Sequence, residues 1–261
     1  VIVTVLGGLF GIGLSIAAKR FAVKKDEKLE ALEGALPGYN CGSCGFAGCS
    51  GYADAIFTGS VTELTKCSAG GAKVAAKIAE IMGVTIDLSA ERQIAHVHCR
   101  GGNEEAVKVL NYKGIKDCNA AFAMFQGYKA CKYGCLGFGS CAKVCPASAI
   151  SITENGLAHV DPAKCISCGA CTKVCPTKTI KMIPESASHV VECNNHDKGP
   201  AVKKACKVGC IGCKMCEKKS PEGGFVVENF LASIDYTKTG DRTAACEGCP
   251  QKCIVDLKAS K

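Results

Sequence analysis

The sequence predicts an α+β chain in which small cysteine-rich units follow an apolar N-terminal helix. Three observations support this class. Residues 1–18 contain no charged side chain. The 261 residues include 22 cysteines, many of them in runs with only two residues between neighbours. Only 6% of the residues are aromatic and none is tryptophan, so the units need cross-links or bound metal as well as a hydrophobic core.

The first predicted element is a transmembrane helix over residues 1–19. VIVTVLGGLFGIGLSIAA would extend about 27 Å as a helix, close to the thickness of a bilayer core. A secretory signal peptide is the alternative, but it carries its basic residues before the apolar run. Here Lys19, Arg20, Lys24 and Lys25 follow the run. By the positive-inside rule, the sequence predicts a single-pass protein of the inner membrane with its remaining domains in the cytoplasm.

A charged linker helix over residues 20–36 is predicted to lead into a compact module over residues 37–88. The module contains CGSCGFAGC and one later cysteine, with glycines between the thiols where the backbone must approach a bound group closely. Four thiolates complete one 4Fe–4S cluster. The sequence therefore predicts a small helical module with a single cluster, held by Cys41, Cys44, Cys49 and Cys67.

A connecting region over residues 89–130 contains two isolated cysteines, Cys99 and Cys118. Either could be a cluster ligand, part of a redox pair or a buried thiol, and their spacing does not decide between these roles. His96 and His98 lie on a predicted strand, where a histidine is more often structural than a ligand.

Residues 131–188 are predicted to form a ferredoxin-like domain with two clusters. CISCGACTKVCP matches the C-x2-C-x2-C-x3-C-P run of bacterial ferredoxins, whose first three cysteines bind one 4Fe–4S cluster and whose fourth binds its neighbour. The preceding CKYGCLGFGSCAKVCP has Phe138 where the second cysteine belongs, and Cys131 is the predicted substitute. The first predicted ligand set is Cys145, Cys165, Cys168 and Cys171. The second is Cys131, Cys135, Cys141 and Cys175.

Residues 189–261 are predicted to be a degenerate second ferredoxin domain. HVVEC echoes the earlier HVHC, and CKVGC echoes CKYGC. Ser220, Thr239, Arg242 and Ala245 occupy the positions that would bind one of the two clusters, so that cluster is predicted to be lost. The retained cluster is predicted at Cys210, Cys213, Cys216 and Cys249. The remaining thiols, which would complete a further cluster, are Cys193, Cys206, Cys246 and Cys253. The total is then about four 4Fe–4S clusters, or five.

Composition excludes several other classes. The runs of thiols are too closely spaced for a disulfide framework, and three-cysteine runs with a trailing proline are not typical of zinc sites. The formal net charge is +8, but basic and aromatic residues are not interleaved as in nucleic-acid-binding surfaces. No G-x-G-x-x-G fingerprint opens a helix after a strand, so flavin and nicotinamide are expected on other subunits. The sequence contains no predicted catalytic residue, which leaves electron transfer or metal storage.

Lysines surround the predicted Cys210 cluster, and Glu217 is the one acidic residue among them. Opposite charge would steer an acidic ferredoxin to this surface. The alternatives are that the lysines balance the charge of the cluster, meet an acidic subunit or attract anionic lipids. The predicted docking residues are Lys203, Lys204, Lys207, Lys214, Lys218 and Lys219.

The order of an uncharged helix, the NCGSCGFAGC module and ferredoxin modules resembles the B subunit of Rnf complexes over essentially the whole chain. The resemblance implies a membrane-bound ferredoxin:NAD+ oxidoreductase that couples electron transfer to sodium or proton pumping. This subunit would accept electrons from reduced ferredoxin and pass them to partner subunits in the lipid bilayer. The alternative is the polyferredoxin arm of another membrane redox complex, such as a hydrogenase.

Overall fold

The computed structural model describes residues 2–20, 26–87 and 91–258. These ranges contain ten helices and eight short strands. The helices are α1 (Ile2–Arg20), α2 (Glu27–Ala35), α3 (Cys49–Phe57), α4 (Gly71–Met82), α5 (Cys118–Ala123), α6 (Ser140–Lys143), α7 (Ala170–Val174), α8 (Gly199–Ala205), α9 (Met215–Lys219) and α10 (Thr243–Glu247). The strands are β1 (Gln93–Val97), β2 (Ile150–Ile152), β3 (Ala158–Val160), β4 (Ile180–Pro184), β5 (His189–Val191), β6 (Phe225–Glu228), β7 (Leu231–Ile234) and β8 (Ile254–Asp256).

The predicted transmembrane anchor is not found in the structure. Among the described residues, no helix is long and apolar enough to cross a membrane. Helix α1 covers Ile2–Arg20 and ends in the basic residues Lys19 and Arg20. Residues 21–25 of the predicted linker lie outside the described residues, and α2 forms its second half.

The first cysteine-rich module is a bundle of α2, α3 and α4. Leu32, Tyr52, Ile56 and Ile78 are almost completely buried between these helices. The Tyr52 hydroxyl donates a hydrogen bond to the Glu63 carbonyl at 3.1 Å, so its polar end is satisfied within the core. The module therefore has its own small hydrophobic core, which supports the loops that carry its thiols.

The rest of the chain repeats one arrangement of four strands. In the first copy, β1 pairs antiparallel with β4, and the β2–β3 hairpin lies between them in sequence. In the second copy, β5 pairs with β8 around the β6–β7 hairpin. The connecting region thus supplies the first strand of the first copy, because β1 lies within it.

Each copy has a hydrophobic core that includes cysteines. Ile94 and Ile183 are buried in the first core, and Val191, Phe225 and Ile254 are buried in the second. Several cysteines pack among these side chains in both cores. Because thiols form part of the core, occupation of the metal sites and folding are coupled.

Candidate metal centres

All of the cysteines except Cys246 line five cavities. Site 1 comprises Cys41, Cys44, Cys49 and Cys67. Site 2 comprises Cys145, Cys165, Cys168 and Cys171. Site 3 comprises Cys118, Cys135, Cys141 and Cys175. Site 4 comprises Cys99, Cys131, Cys193 and Cys206. Site 5 comprises Cys210, Cys213, Cys216 and Cys249, with Cys253 as a fifth thiol. In the described parts of the chain, no three His, Cys, Asp or Glu side chains form a group that could hold a single metal ion.

Site 1 brings together the four cysteines that the sequence predicts. Gly42 and Gly45 have φ values of 68° and 90°, a left-handed conformation that lets the short loop fold around its thiols. The Asn40 side chain accepts a hydrogen bond from the Cys49 amide at 2.8 Å, which orders the start of α3. Burial raises the pKa of Cys67, so its free thiol is protonated at neutral pH.

Site 2 also brings together its predicted cysteines. Gly169, with φ 66°, turns the chain into α7, which carries Cys171. The Ala149 amide donates a hydrogen bond to the Cys145 sulfur at 3.3 Å. Burial raises the pKa of Cys171 to about 12. The ferredoxin run thus supplies three of the four thiols, and Cys145 supplies the fourth.

Site 3 differs from the prediction, because Cys118 rather than Cys131 completes it. Asp117 caps α5, and its carboxylate accepts a hydrogen bond from the Ser140 hydroxyl at 2.7 Å. That hydroxyl in turn accepts from the Cys118 amide at 2.8 Å. These bonds tie α5 to α6 and place Cys118 beside Cys141.

Phe138, which replaces the expected cysteine, packs against aromatic rings instead of facing the cavity of site 3. Its ring centroid lies 5.4 Å from that of Tyr112 and 5.5 Å from that of Tyr128. The sequence signal for Cys118 was its place at the start of a capped helix, directly after Asp117. Distance along the chain instead favoured Cys131, which the structure places in site 4.

Hydrogen bonding lowers the pKa of the Cys175 thiol although burial acts to raise it. Burial raises the pKa of this thiol, but hydrogen bonds from the Thr179 and Thr177 hydroxyls outweigh that effect and lower it. The hydroxyl oxygens lie 3.3 Å and 3.5 Å from the sulfur. These hydrogen bonds favour the thiolate of Cys175, the form that binds metal.

Site 4 takes two thiols from each copy of the repeat. Cys99 and Cys193 follow β1 and β5, and the Cys135 and Cys210 amides donate to their sulfurs at 3.3 Å and 3.2 Å. The same hydrogen bond therefore occurs in both copies. Burial raises the pKa of Cys99 to about 12 and that of Cys193 to about 11.

The predicted group of Cys193, Cys206, Cys246 and Cys253 is not assembled. Two of its members lie in site 4, and Cys253 lies in site 5. Cys246 lines none of the five cavities, and its sulfur donates to the Ile254 carbonyl at 3.3 Å. The echo of HVHC in HVVEC was the sequence signal for site 4, since it pairs Cys99 with Cys193.

Site 5 contains five thiols, one more than a cluster needs. The Cys253 sulfur lies 3.7 Å from the Cys249 sulfur, and hydrogen bonding with Cys253 lowers the pKa of Cys249 to about 5 and that of Cys210 to about 6. The same bonds raise the pKa of Cys253. The direction of these shifts favours thiolates at Cys210 and Cys249 and a protonated thiol at Cys253.

The sequence predicts that the second copy has lost one of its two clusters. Protein side chains occupy that region in the structure. Ser220, Arg242 and Ala245 are buried there. The Ser220 hydroxyl accepts from the Ala245 amide at 3.2 Å, and the Arg242 guanidinium donates to the Gly223 carbonyl at 2.7 Å. Thr239 is exposed.

The five sites form a row. In four C-x3-C pairs, the two cysteines belong to neighbouring sites. Because only three residues separate them, their Cα atoms lie within about 14 Å of each other. These pairs are Cys141–Cys145, Cys171–Cys175, Cys131–Cys135 and Cys206–Cys210. The first two join sites 2 and 3, the third joins sites 3 and 4, and the fourth joins sites 4 and 5. Site 1 adjoins site 2, since the charge of Cys41 adds to the effect of burial in raising the pKa of Cys168.

The thiols fit iron–sulfur clusters in number and chemistry. Thiolates are the ligands that iron–sulfur clusters require, and each cavity presents at least four sulfurs. Burial raises the pKa of several of these thiols, including Cys99, Cys141 and Cys171, so metal binding would displace their protons. Amide and hydroxyl groups already point at several of the sulfurs, as in sites that tune cluster potentials.

Two family models match the chain in the same regions. The FeS model, which describes an Fe-S cluster, matches residues 36–69. The Fer4_7 model, a 4Fe-4S dicluster domain, matches residues 130–179. The first contains site 1, and the second contains all of site 2 and most of site 3. The chain therefore carries 4Fe–4S clusters.

Three relatives are similar over nearly the whole chain. The B subunit of the ion-translocating oxidoreductase complex of Methanosarcina acetivorans is 42% identical, over 95% of this chain and 94% of its own length. The B subunit of the Na(+)-translocating ferredoxin:NAD(+) oxidoreductase complex of Acetobacterium woodii is 44% identical, over 97% of this chain and 75% of its own length. The B subunit of the proton-translocating ferredoxin:NAD(+) oxidoreductase complex of Clostridium ljungdahlii is 41% identical, over 97% of this chain and 88% of its own length. With its 4Fe–4S domains, the chain is an electron-transfer subunit and belongs to the family of B subunits of ion-translocating ferredoxin:NAD+ oxidoreductase, or Rnf, complexes.

Proposed function

We propose that the chain relays electrons along a row of five 4Fe–4S sites, from reduced ferredoxin to other subunits of an ion-translocating ferredoxin:NAD+ oxidoreductase. The observation that carries this proposal is the division of four C-x3-C pairs between neighbouring cavities. A 4Fe–4S cluster supplies one-electron redox chemistry, at a potential set by hydrogen bonds and exposure. The chain itself holds the thiolates, donates hydrogen bonds to them and keeps water away.

The ends of the row are the places where partners would exchange electrons. Site 1 lies at one end, in the helical module, and site 5 lies at the other. Cys213 of site 5 is exposed, unlike Cys210 and Cys216. A partner that docks over Cys213 would therefore approach this end of the row most closely.

The lysines predicted from the sequence surround that end. All six are exposed: Lys203, Lys204, Lys207, Lys214, Lys218 and Lys219. Glu217 is the one acidic residue among them, and its carboxylate accepts a hydrogen bond from the Val227 amide at 2.6 Å. Within the described part of the chain, none of the six takes part in an ion pair. This positive surface supports docking of an acidic ferredoxin at site 5.

The proposed location is the cytoplasmic face of the inner membrane, in complex with flavin- and NAD-binding subunits. The relatives are named as subunits of ion-translocating complexes, which supports this assembly. Purification of the tagged chain from native membranes, followed by mass spectrometry, tests it. Recovery of flavin- and NAD-binding subunits is expected, whereas recovery of hydrogenase subunits would favour a different redox complex.

Iron analysis tests the number of sites. The full-length chain, reconstituted anaerobically in detergent, is expected to contain about 20 irons and about 20 acid-labile sulfides, because five thiol sets each hold four of both. About 16 would show that one of the five cavities does not hold a cluster. A content of about eight would reject the row altogether.

Charge reversal tests the docking surface. We expect Lys218→Glu with Lys219→Glu to slow stopped-flow reduction by an acidic ferredoxin about tenfold at low salt, since the two reversed charges repel the donor. The wild-type rate should fall as ionic strength rises through the screening range. Iron content should remain unchanged.

The matched variant reverses two exposed lysines at the other end of the row, Lys73→Glu with Lys77→Glu on α4. It should be reduced at the wild-type rate. If it is the slow variant and the Lys218 and Lys219 pair is not, ferredoxin docks at site 1. Wild-type rates in both variants at every ionic strength would exclude electrostatic docking at either end.

A further inference from the structure

Lys129 is a buried lysine with no carboxylate partner. Its side chain is only 4% exposed, and its ammonium group donates hydrogen bonds to the Gly101 carbonyl at 2.9 Å and the Cys135 carbonyl at 2.7 Å. Among the described residues, no Asp or Glu lies within ion-pair distance of it. Lysine is almost never fully buried unless it is paired, because removing an ammonium group from water is costly. The charge of Lys129 therefore requires a counter-charge of another kind.

The negative charges available to it would be the thiolates that two neighbouring sites present to bound clusters. Lys129 lines the cavity of site 4 and is hydrogen-bonded to the backbone of Cys135 in site 3. Burial raises the pKa values of Cys99, Cys135 and Cys206, and the positive charge of Lys129 opposes this rise at all three. The ammonium group thus stands where sites 3 and 4 adjoin, within electrostatic reach of both.

We propose that Lys129 is the shared counter-charge of sites 3 and 4 and raises the reduction potentials of the clusters that both sites hold. The inference rests on the proposed occupation of these two sites. Reduction adds one negative charge to a site, and a fixed cation nearby favours the more negative state. Lys129 is a positioning residue in this role, since it binds no metal and acts through its charge and its two hydrogen bonds.

The repeat provides a matched comparison at Lys204. Lys129 and Lys204 each lie two residues before an equivalent cysteine of site 4, Cys131 and Cys206. Helix α8 buries Val202 and leaves Lys204 exposed. The two lysines therefore occupy the same position in the repeat, but only Lys129 is removed from water. Solvent screens the charge of Lys204 and does not screen that of Lys129.

The experiment is a redox titration of the full-length reconstituted chain, followed by electron paramagnetic resonance. In Lys129→Met, the midpoint potentials of two clusters should fall, with a reduction equilibrium about tenfold less favourable for each, or ~59 mV for a one-electron couple. The potentials of the other clusters should not change. Lys204→Met should leave all midpoint potentials at their wild-type values. Unchanged potentials in Lys129→Met, or equal shifts in both variants, would overturn the proposal.

Iron content separates this proposal from the proposed function. If the wild-type chain lacks a cluster at site 4, the five-site row fails, and Lys129 is then tested on the cluster of site 3 alone. If Lys129→Met loses iron, Lys129→Arg decides the cause, because arginine keeps the positive charge. Wild-type iron and potentials in Lys129→Arg would support the counter-charge, and equal loss in both variants would show that Lys129 acts only through packing.

Discussion

Replacement of Cys118 by alanine is expected to remove one of five clusters, with a loss of about four irons and four sulfides per chain. Cys118 is the thiol of α5 that completes site 3, and three thiolates leave one iron without a protein ligand. The local fold should loosen as well, since bound metal contributes folding energy to a core made partly of thiols. Iron analysis and thermal unfolding of the reconstituted chain measure both effects.

Cys246→Ala is the matched control for this variant. Cys246 also lies on a short helix and is half-buried, but it lines none of the five cavities and its thiol donates to a backbone carbonyl. It should retain the full iron content. A loss of four irons in Cys246→Ala together with full iron in Cys118→Ala would show that the structure assigns both thiols wrongly.

Two double variants should lose different amounts of iron. Cys99→Ala with Cys131→Ala removes two thiols of site 4 and is expected to cost one cluster, about four irons. Cys118→Ala with Cys131→Ala removes one thiol from site 3 and one from site 4, and is expected to cost two clusters, about eight irons. Losses within one site are not additive, because the first substitution already empties it.

The ligand sets predicted from the sequence give equal losses for the two double variants. They place Cys131 with Cys135 and include neither Cys99 nor Cys118, so each double variant would then cost only one cluster. The two double variants thus decide between the two ligand assignments by iron content alone. Single Cys131→Ala does not, since both assignments predict the loss of one cluster.

Local spacing alone was enough to identify sites 1 and 2 and the retained cluster of the second copy. In these sites at least three ligands come from one short loop, and a single turn of backbone brings the thiols together. The ferredoxin run from Cys165 to Cys171 is the clearest example, because its two-residue gaps specify the ligands without reference to other elements. The family and the cofactor follow from the same runs and their order.

The tertiary structure alone decided the roles of Cys118, Cys131 and Cys193. Site 4 joins thiols that follow two strands in different copies of the repeat, and packing of the two copies brings them together. Cys118 reaches site 3 through the hydrogen bonds of Ser140 that tie α5 to α6. Packing also decides that Lys129 is buried and Lys204 exposed, although both occupy the same position in the repeat. Spacing along the chain specifies which thiols share a loop, whereas the contacts between loops specify which loops share a cluster.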